Sequence, residues 1–164
     1  MILVGIGGNL PDASGTPPLV IGRRAVEALG ALPGLRLAAV SGWYASDPVP
    51  PQPGSPPYVN AVARLEGRAG AEPLLASLQA IEAAAGRTRP YRNAPRTLDL
   101  DLIDLDGLVR DAPDPILPHP RAALRAFVLL PLAEVAPGWR HPRTGESVSA
   151  LIAALPPQVI RRLA

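Results

Sequence analysis

Between Leu98 and Leu102 apolar and acidic residues alternate, with Leu98, Leu100 and Leu102 on one parity and Asp99 and Asp101 on the other. A period of two belongs to a β-strand with one apolar and one polar face. The same period runs through Tyr58–Glu66, where Val59, Ala61, Ala63 and Leu65 form the apolar set and Tyr58 and Asn60 share the opposite face. Leu35–Tyr44 reads as a long strand, and Met1–Ile6 as a short apolar strand running into a tight turn at Gly7-Gly8-Asn9. After Thr16 the period becomes helical, with Leu19, Val26, Leu29 and Leu32 as the apolar stripe and Pro33-Gly34 as the stop. A second helix is predicted over Ala71–Gly86, where Pro73 suits the first turn and Leu74, Leu78, Ile81 and Ala85 form the buried face.

This order of elements predicts an α+β fold, a ferredoxin-like split βαββαβ sheet with helices on one face and additional C-terminal elements. The apolar parities then point at the helices. Tyr58, Asn60, Asp99 and Asp101 therefore converge on the opposite face. Asp106-Gly107 is a hairpin turn signal before Leu108-Val109-Arg110. Beyond it, Ile116–Pro120 reads as extended, Arg121–Pro137 as partly helical, Val148–Leu155 as a short helix, and Pro156–Ala164 has room for a final strand. The 164 residues suit one domain, 1–164, and the 22 prolines crowd most densely into a stiff loop at Asp47–Pro57.

Composition narrows the chemistry. All 16 basic residues are arginine, and neither lysine nor cysteine occurs. This excludes a phosphate-loop lysine, Schiff-base chemistry, disulfides and thiolate catalysis, and leaves phosphate recognition to Arg, His, metal and backbone N–H groups. A net charge of +2 with a pI near 9.7 weakly favours an anionic ligand. No stretch reaches membrane-spanning length, so a soluble cytoplasmic protein is expected.

Residues i and i+2 of a strand lie roughly 6.5–7 Å apart, so ionised Asp99 and Asp101 repel unless a cation stands between them. Mg²⁺ is held by one or two carboxylates together with phosphate oxygens, and Arg92 and Arg96 bring fixed positive charge to the same stretch. A lone Asp-x-Asp is also compatible with a strand whose aspartates face water. Asp104, on the other parity, and Asp106, in the turn, suit that water-facing reading better than the metal one.

The run Arg92–Asp104 carries a basic residue, a small residue, Pro-Arg, two intervening residues and then Asp-hydrophobic-Asp. It resembles the signature of the 6-hydroxymethyl-7,8-dihydropterin pyrophosphokinases of folate biosynthesis. The similarity includes Ile6-Gly7-Gly8-Asn9-Leu10 and Arg125-Ala126-Phe127-Val128-Leu129 and spans about Met1 to Leu155. The resemblance implies that the hydroxymethyl oxygen of a reduced pterin attacks the β-phosphorus of ATP and that AMP departs. It implies two Mg²⁺ ions held by Asp99 and Asp101, with Arg96 on the triphosphate and Arg87 beside it among the catalytic residues. Gln79, Glu82, Arg87, His119 and Arg125 match positions on the nucleotide side. Tyr58 and Phe127 would sandwich the pterin ring, and Asn60 would bond its edge, helped by the backbone of Asp47, Pro48 and Val49. Arg89 and Arg92 would belong to a mobile loop closing over both substrates. In their own right, Phe127 reads as core, His119 as a turn residue and Glu82 as a solvated charge at a helix end.

Two departures stand out: many members carry tryptophan where this chain has Asn93, in a loop one residue shorter, and serine is usual where Gly8 stands. No general base is identified. The implied partners are ATP and 6-hydroxymethyl-7,8-dihydropterin, without nucleic acid or membrane, for a monomer. The alternatives are a ferredoxin-like nucleic-acid-binding module and a ligand-sensing domain without turnover. The first fits poorly, because the exposed sheet face offers aspartates and few aromatics where such modules stack bases.

Overall fold

Six strands and four helices follow from these patterns in a computed structural model that describes residues 1–48, 51, 53–86 and 96–163. The strands are β1 (Ile2–Gly8), β2 (Leu35–Val40), β3 (Tyr44–Ser46), β4 (Tyr58–Gly67), β5 (Asp99–Leu105) and β6 (Ile160–Arg162). The helices are α1 (Pro18–Gly30), α2 (Ala71–Ala84), α3 (Ala126–Val135) and α4 (Val148–Ala153). The sheet runs β5-β1-β4-β3-β6, with β2 also on β4 and every pairing antiparallel. The first five strands and two helices thus form the predicted ferredoxin-like sheet.

The predicted strand Leu35–Tyr44 is broken. Ser41 donates its N–H to the Val62 carbonyl at 2.9 Å and accepts the Val62 N–H on its hydroxyl at 2.9 Å. A side chain so replaces a rung of the ladder, and β2 and β3 pair with successive lengths of β4. The expected turn at Gly7-Gly8 also gives way, since β1 continues through Gly8, paired with Val59.

Between β1 and β5 the register shifts, Leu3 facing Asp104 while Val4 faces Leu102. This β-bulge turns Asp104 into the protein, where its carboxylate accepts the Trp139 indole N–H at 2.7 Å and the Gly107 N–H at 2.9 Å. Asp106 (φ 51°) and Gly107 (φ 76°) then form the anticipated two-residue turn, closed by Leu108 N–H to the Leu105 carbonyl at 2.9 Å.

One apolar layer lies where expected. Ile2, Val4, Ile6, Ala63, Leu65, Leu100 and Leu102 pack against Leu29 of α1 and Leu74 and Leu78 of α2. The opposite face is not left to solvent as the pattern suggested. Leu3, Val62 and Ile103 are covered by Leu129 and Leu132 of α3, Leu151 of α4 and Trp139. The second layer stops short of the row Asn60–Gly7–Asp99, and there the sheet opens.

Candidate active site

The open end is built around Asn9, which is buried. Its N–H donates to the Arg96 carbonyl at 2.8 Å, and its side-chain oxygen accepts the Arg96 N–H at 2.9 Å. Its Nδ2 reaches Ser55 Oγ at 3.0 Å and the Pro56 carbonyl at 3.1 Å. One asparagine so ties the entry of β5 to the proline-rich loop. Gly8 makes this approach close, since a Cβ there would stand 2.5 Å from the Thr97 carbonyl oxygen.

Two clefts meet at β5. The first has Tyr58, Phe127 and Arg125 on its sides and Asn60 at its base, with Asp47 and Pro48 at its rim. The second contains Gln79, Glu82 and His119. Asp99 and Asp101 line both. Arg125, grouped with the nucleotide-side residues in the sequence, lies in the first cleft, its guanidinium carbon 5.3 Å from the centre of the Phe127 ring. Phe127 is partly buried and lines the cleft, unlike an ordinary core side chain. Glu82 is buried too, and its carboxylate accepts the Leu100 N–H at 2.8 Å. Val49, Arg87, Arg89, Arg92 and Asn93 lie outside the described residues.

Charge is unevenly matched here. Two carboxylates roughly 7 Å apart repel by about 2 kcal/mol at an effective dielectric of about 20. Burial, and then the Asp99 charge, push the Asp101 carboxyl up to about 7. About a third of that side chain remains accessible (33%), but protein surrounds the rest. Arg96 NH1 donates to Asp99 Oδ2 at 2.7 Å, while Arg96 Nε is buried with no hydrogen-bond partner among the described residues. The site thus presents a carboxyl, Asp101, whose charged form burial and Asp99 disfavour, and a guanidinium donor short of an acceptor among the described residues.

His119 is neutral at physiological pH, because burial and then the Arg125 charge bring it down to about 4. Its Nδ1 accepts the Arg121 N–H at 3.2 Å, so the neutral ring carries its proton on Nε2, 3.9 Å from Asp101 Oδ1. The residue serves its turn through one nitrogen and faces the site through the other.

Sequence reading missed several contributors. Gly5 and Gly7 lie on β1 opposite Asp101 and Asp99, and Gly7 also opposite Asn60, so they floor the first cleft. A Cβ on Gly7 would come within 3.0 Å of Asn60 Oδ1. Their signal was present, as glycines on the parity opposite Ile2, Val4 and Ile6 mark a close approach to a strand. Ser46 accepts the Asn60 Nδ2–H at 2.7 Å, leaving Oδ1 over the floor, and no local pattern announces it.

The ferredoxin-like sheet thus sets two carboxylates on the boundary between an aromatic cleft and a polar one. The family model for 7,8-dihydro-6-hydroxymethylpterin-pyrophosphokinase matches residues 3–137. The chain belongs to this family. It is 41% identical over 162 residues to the 2-amino-4-hydroxy-6-hydroxymethyldihydropteridine pyrophosphokinase of Pseudomonas aeruginosa, covering 99% of this chain and 96% of that one. It is 38% identical over 151 residues to the Synechocystis protein of the same name, covering 92% of this chain and 73% of the relative. A third, from Methylorubrum extorquens, is 35% identical over 160 residues, with coverages of 98% and 96%.

Proposed function

We propose that the chain transfers the pyrophosphoryl group of ATP to the hydroxymethyl oxygen of 6-hydroxymethyl-7,8-dihydropterin and releases AMP. Family membership makes it a diphosphokinase of folate biosynthesis. The observation that carries the assignment of residues is that Asp99 and Asp101 line both clefts, which suits a phosphoryl donor on one side and its acceptor on the other. The reaction breaks the bond between the α–β bridging oxygen and the β-phosphorus, and AMP keeps the bonding pair. Catalysis of this kind rests on in-line placement and charge neutralisation.

The pterin enters the first cleft. Tyr58 and Phe127 offer aromatic faces to the flat ring, and the two glycines below leave room for it. Asn60 Oδ1, oriented by Ser46, accepts from the ring's N–H edge. The second cleft takes ATP, with Gln79 and Glu82 in its wall. His119 Nε2–H serves as an uncharged donor toward the phosphates, and Arg96 Nε is the donor that a phosphate oxygen satisfies. The family resemblance assigns Arg87 to the same nucleotide, and Arg89 and Arg92 to the loop that closes over both substrates.

Two Mg²⁺ fit the carboxylate pair. Asp99 and Asp101 crowd negative charge, and Mg²⁺ is ordinarily held by one or two carboxylates plus phosphate and water oxygens. Among the described residues no cluster of three ligating side chains gathers. When bound, the ions neutralise phosphate charge and help to align donor and acceptor. We further place the chain in the cytoplasm as a monomer acting on small molecules alone; no helix among the described residues is long and apolar enough to cross a membrane.

The direct test is AMP formation from ATP, Mg²⁺ and the pterin. Dependence on both pterin and metal is expected, and a folded chain that makes neither AMP nor pterin pyrophosphate overturns the reading. A pH test follows from Asp101. Folding raises its pKa from 3.8 to about 7, so its contribution to stability is full below the unfolded value and is lost as pH rises through the folded one. The metal-free protein should therefore lose thermal stability between about pH 4 and 7 relative to Asp101→Asn. Stabilisation by Mg²⁺ with ATP should grow over the same range. Differential scanning calorimetry checks both, and a metal-free Tm that tracks that of Asp101→Asn contradicts the first.

A further inference from the structure

Helix α3 carries Phe127 in its first turn, and the residue at its N-cap is Arg125. Ser, Thr, Asp or Asn is preferred there, because a side-chain oxygen satisfies one of the first free N–H groups. Arg125 has no such oxygen, and its side chain is committed to the cleft. The missing acceptor comes from the far end of the chain. Gln158 Oε1 accepts the Ala126 N–H at 3.0 Å, while Gln158 Nε2 donates to the Leu124 carbonyl at 3.0 Å. One amide thus clamps the backbone on both sides of Arg125.

The next residue holds the other wall. The Val159 carbonyl accepts the Asp47 N–H at 3.2 Å, and β6 continues along β3, with Ile160 opposite Ser46. Ser46 orients Asn60, and Asp47 stands at the rim of the first cleft. Three residues on, Arg162 meets Glu134 near the other end of α3, Nε to Oε2 at 3.2 Å and NH2 to Oε1 at 3.1 Å. Glu134 also accepts the Gly42 N–H at 2.9 Å and the Tyr44 hydroxyl. The tail is therefore a strap that spans the cleft walls at Gln158-Val159 and is anchored away from the cleft at Arg162. It lies wholly after the segment that the family model matches, which ends at Pro137.

We propose that the C-terminal segment sets the width of the aromatic cleft, with Gln158 as a positioning residue for Arg125 and Phe127 and thereby a determinant of affinity for the flat substrate. Replacing its amide removes the substitute helix cap and frees the Arg125–Phe127 corner to shift. Among the described residues its amide bonds only Ala126 and Leu124, and neither lies on α2 or β5. The inference rests on the assignment of the pterin to the first cleft, and the experiment separates the two.

Steady-state AMP formation is measured for wild type, Gln158→Ala, Gln158→Glu, Arg162→Ala and Tyr58→Ala, with Tm recorded for each. Gln158→Ala should raise KM for the pterin about 5- to 10-fold, the order of one lost cap, with kcat and KM for ATP within about twofold of wild type. Gln158→Glu keeps the acceptor for Ala126 N–H and should recover most of the loss. Arg162→Ala should lower Tm without the pterin-specific change. An unaltered pterin KM in Gln158→Ala beside a raised one in Tyr58→Ala overturns the role of the tail alone. An equal rise for both substrates, or the same pterin effect from Arg162→Ala, overturns it as well by reducing the strap to general support. A pterin KM unaffected by Tyr58→Ala overturns the cleft assignment and the proposal with it.

Discussion

Replacing Asp99 or Asp101 by alanine should leave a folded protein whose pyrophosphoryl transfer falls by at least about 10³-fold, more than about 4 kcal/mol of transition-state stabilisation. The expectation comes from position. Both carboxylates stand where the two clefts meet, so removing either takes charge from the proposed metal-binding pair while Tyr58, Asn60 and Phe127 of the first cleft stay in place. Folding should survive, because the apolar layer beneath is made by Leu98, Leu100 and Leu102 on the other parity. In the metal-free state Asp101→Ala should even be the more stable protein above about pH 7, since it removes a carboxylate that burial and Asp99 both disfavour in its ionised form. Calorimetry and a coupled AMP assay on the same preparations check the pair of effects. Near-wild-type turnover in either variant contradicts the assignment.

The convergence of Asp99 and Asp101 with Tyr58 and Asn60 was legible because strand parity is a strong local constraint. Shifting either strand by one residue would expose its leucines or valines. The two helices over that sheet were legible for the same reason, through the leucines of α1 and α2. What escaped was long-range. The break between β2 and β3 depends on Ser41 capturing the Val62 amide. The inward turn of Asp104 depends on a bulge opposite Leu3 and on Trp139. The second apolar layer escaped because α3 is apolar nearly all round, so its periodicity does not say which face it presents. Ser46 and Gln158 act through partners 14 and at least 32 residues away, and neither stands in a pattern that names them. Arg125 lines the first cleft, yet its charge also lowers the pKa of His119 in the second, so position along the chain alone does not say which cleft it serves.

Arg96→Ala should lower kcat/KM for ATP by about 10²–10³-fold, the range found when a preorganised donor to developing phosphate or oxyanion charge is removed. The guanidinium is held from both ends. Its backbone is fixed by Asn9, and NH1 is spent on Asp99 at 2.7 Å. Nε remains buried without an acceptor among the described residues, a state that costs about 1–3 kcal/mol for an ordinary buried donor and more for a charged one. A planar fork can keep the carboxylate on one nitrogen while offering another to a phosphate oxygen. An ammonium has no such fixed geometry. Arg96→Lys should therefore recover little of the loss even though the charge is restored, whereas affinity for the pterin should change by no more than about twofold because Tyr58, Asn60 and Phe127 are undisturbed. Full activity in the lysine variant would show that charge alone suffices, and the fork argument would fail. Loss of pterin affinity as large as the loss for ATP would instead place Arg96 chiefly with the pterin in the first cleft, the one of the two that it lines.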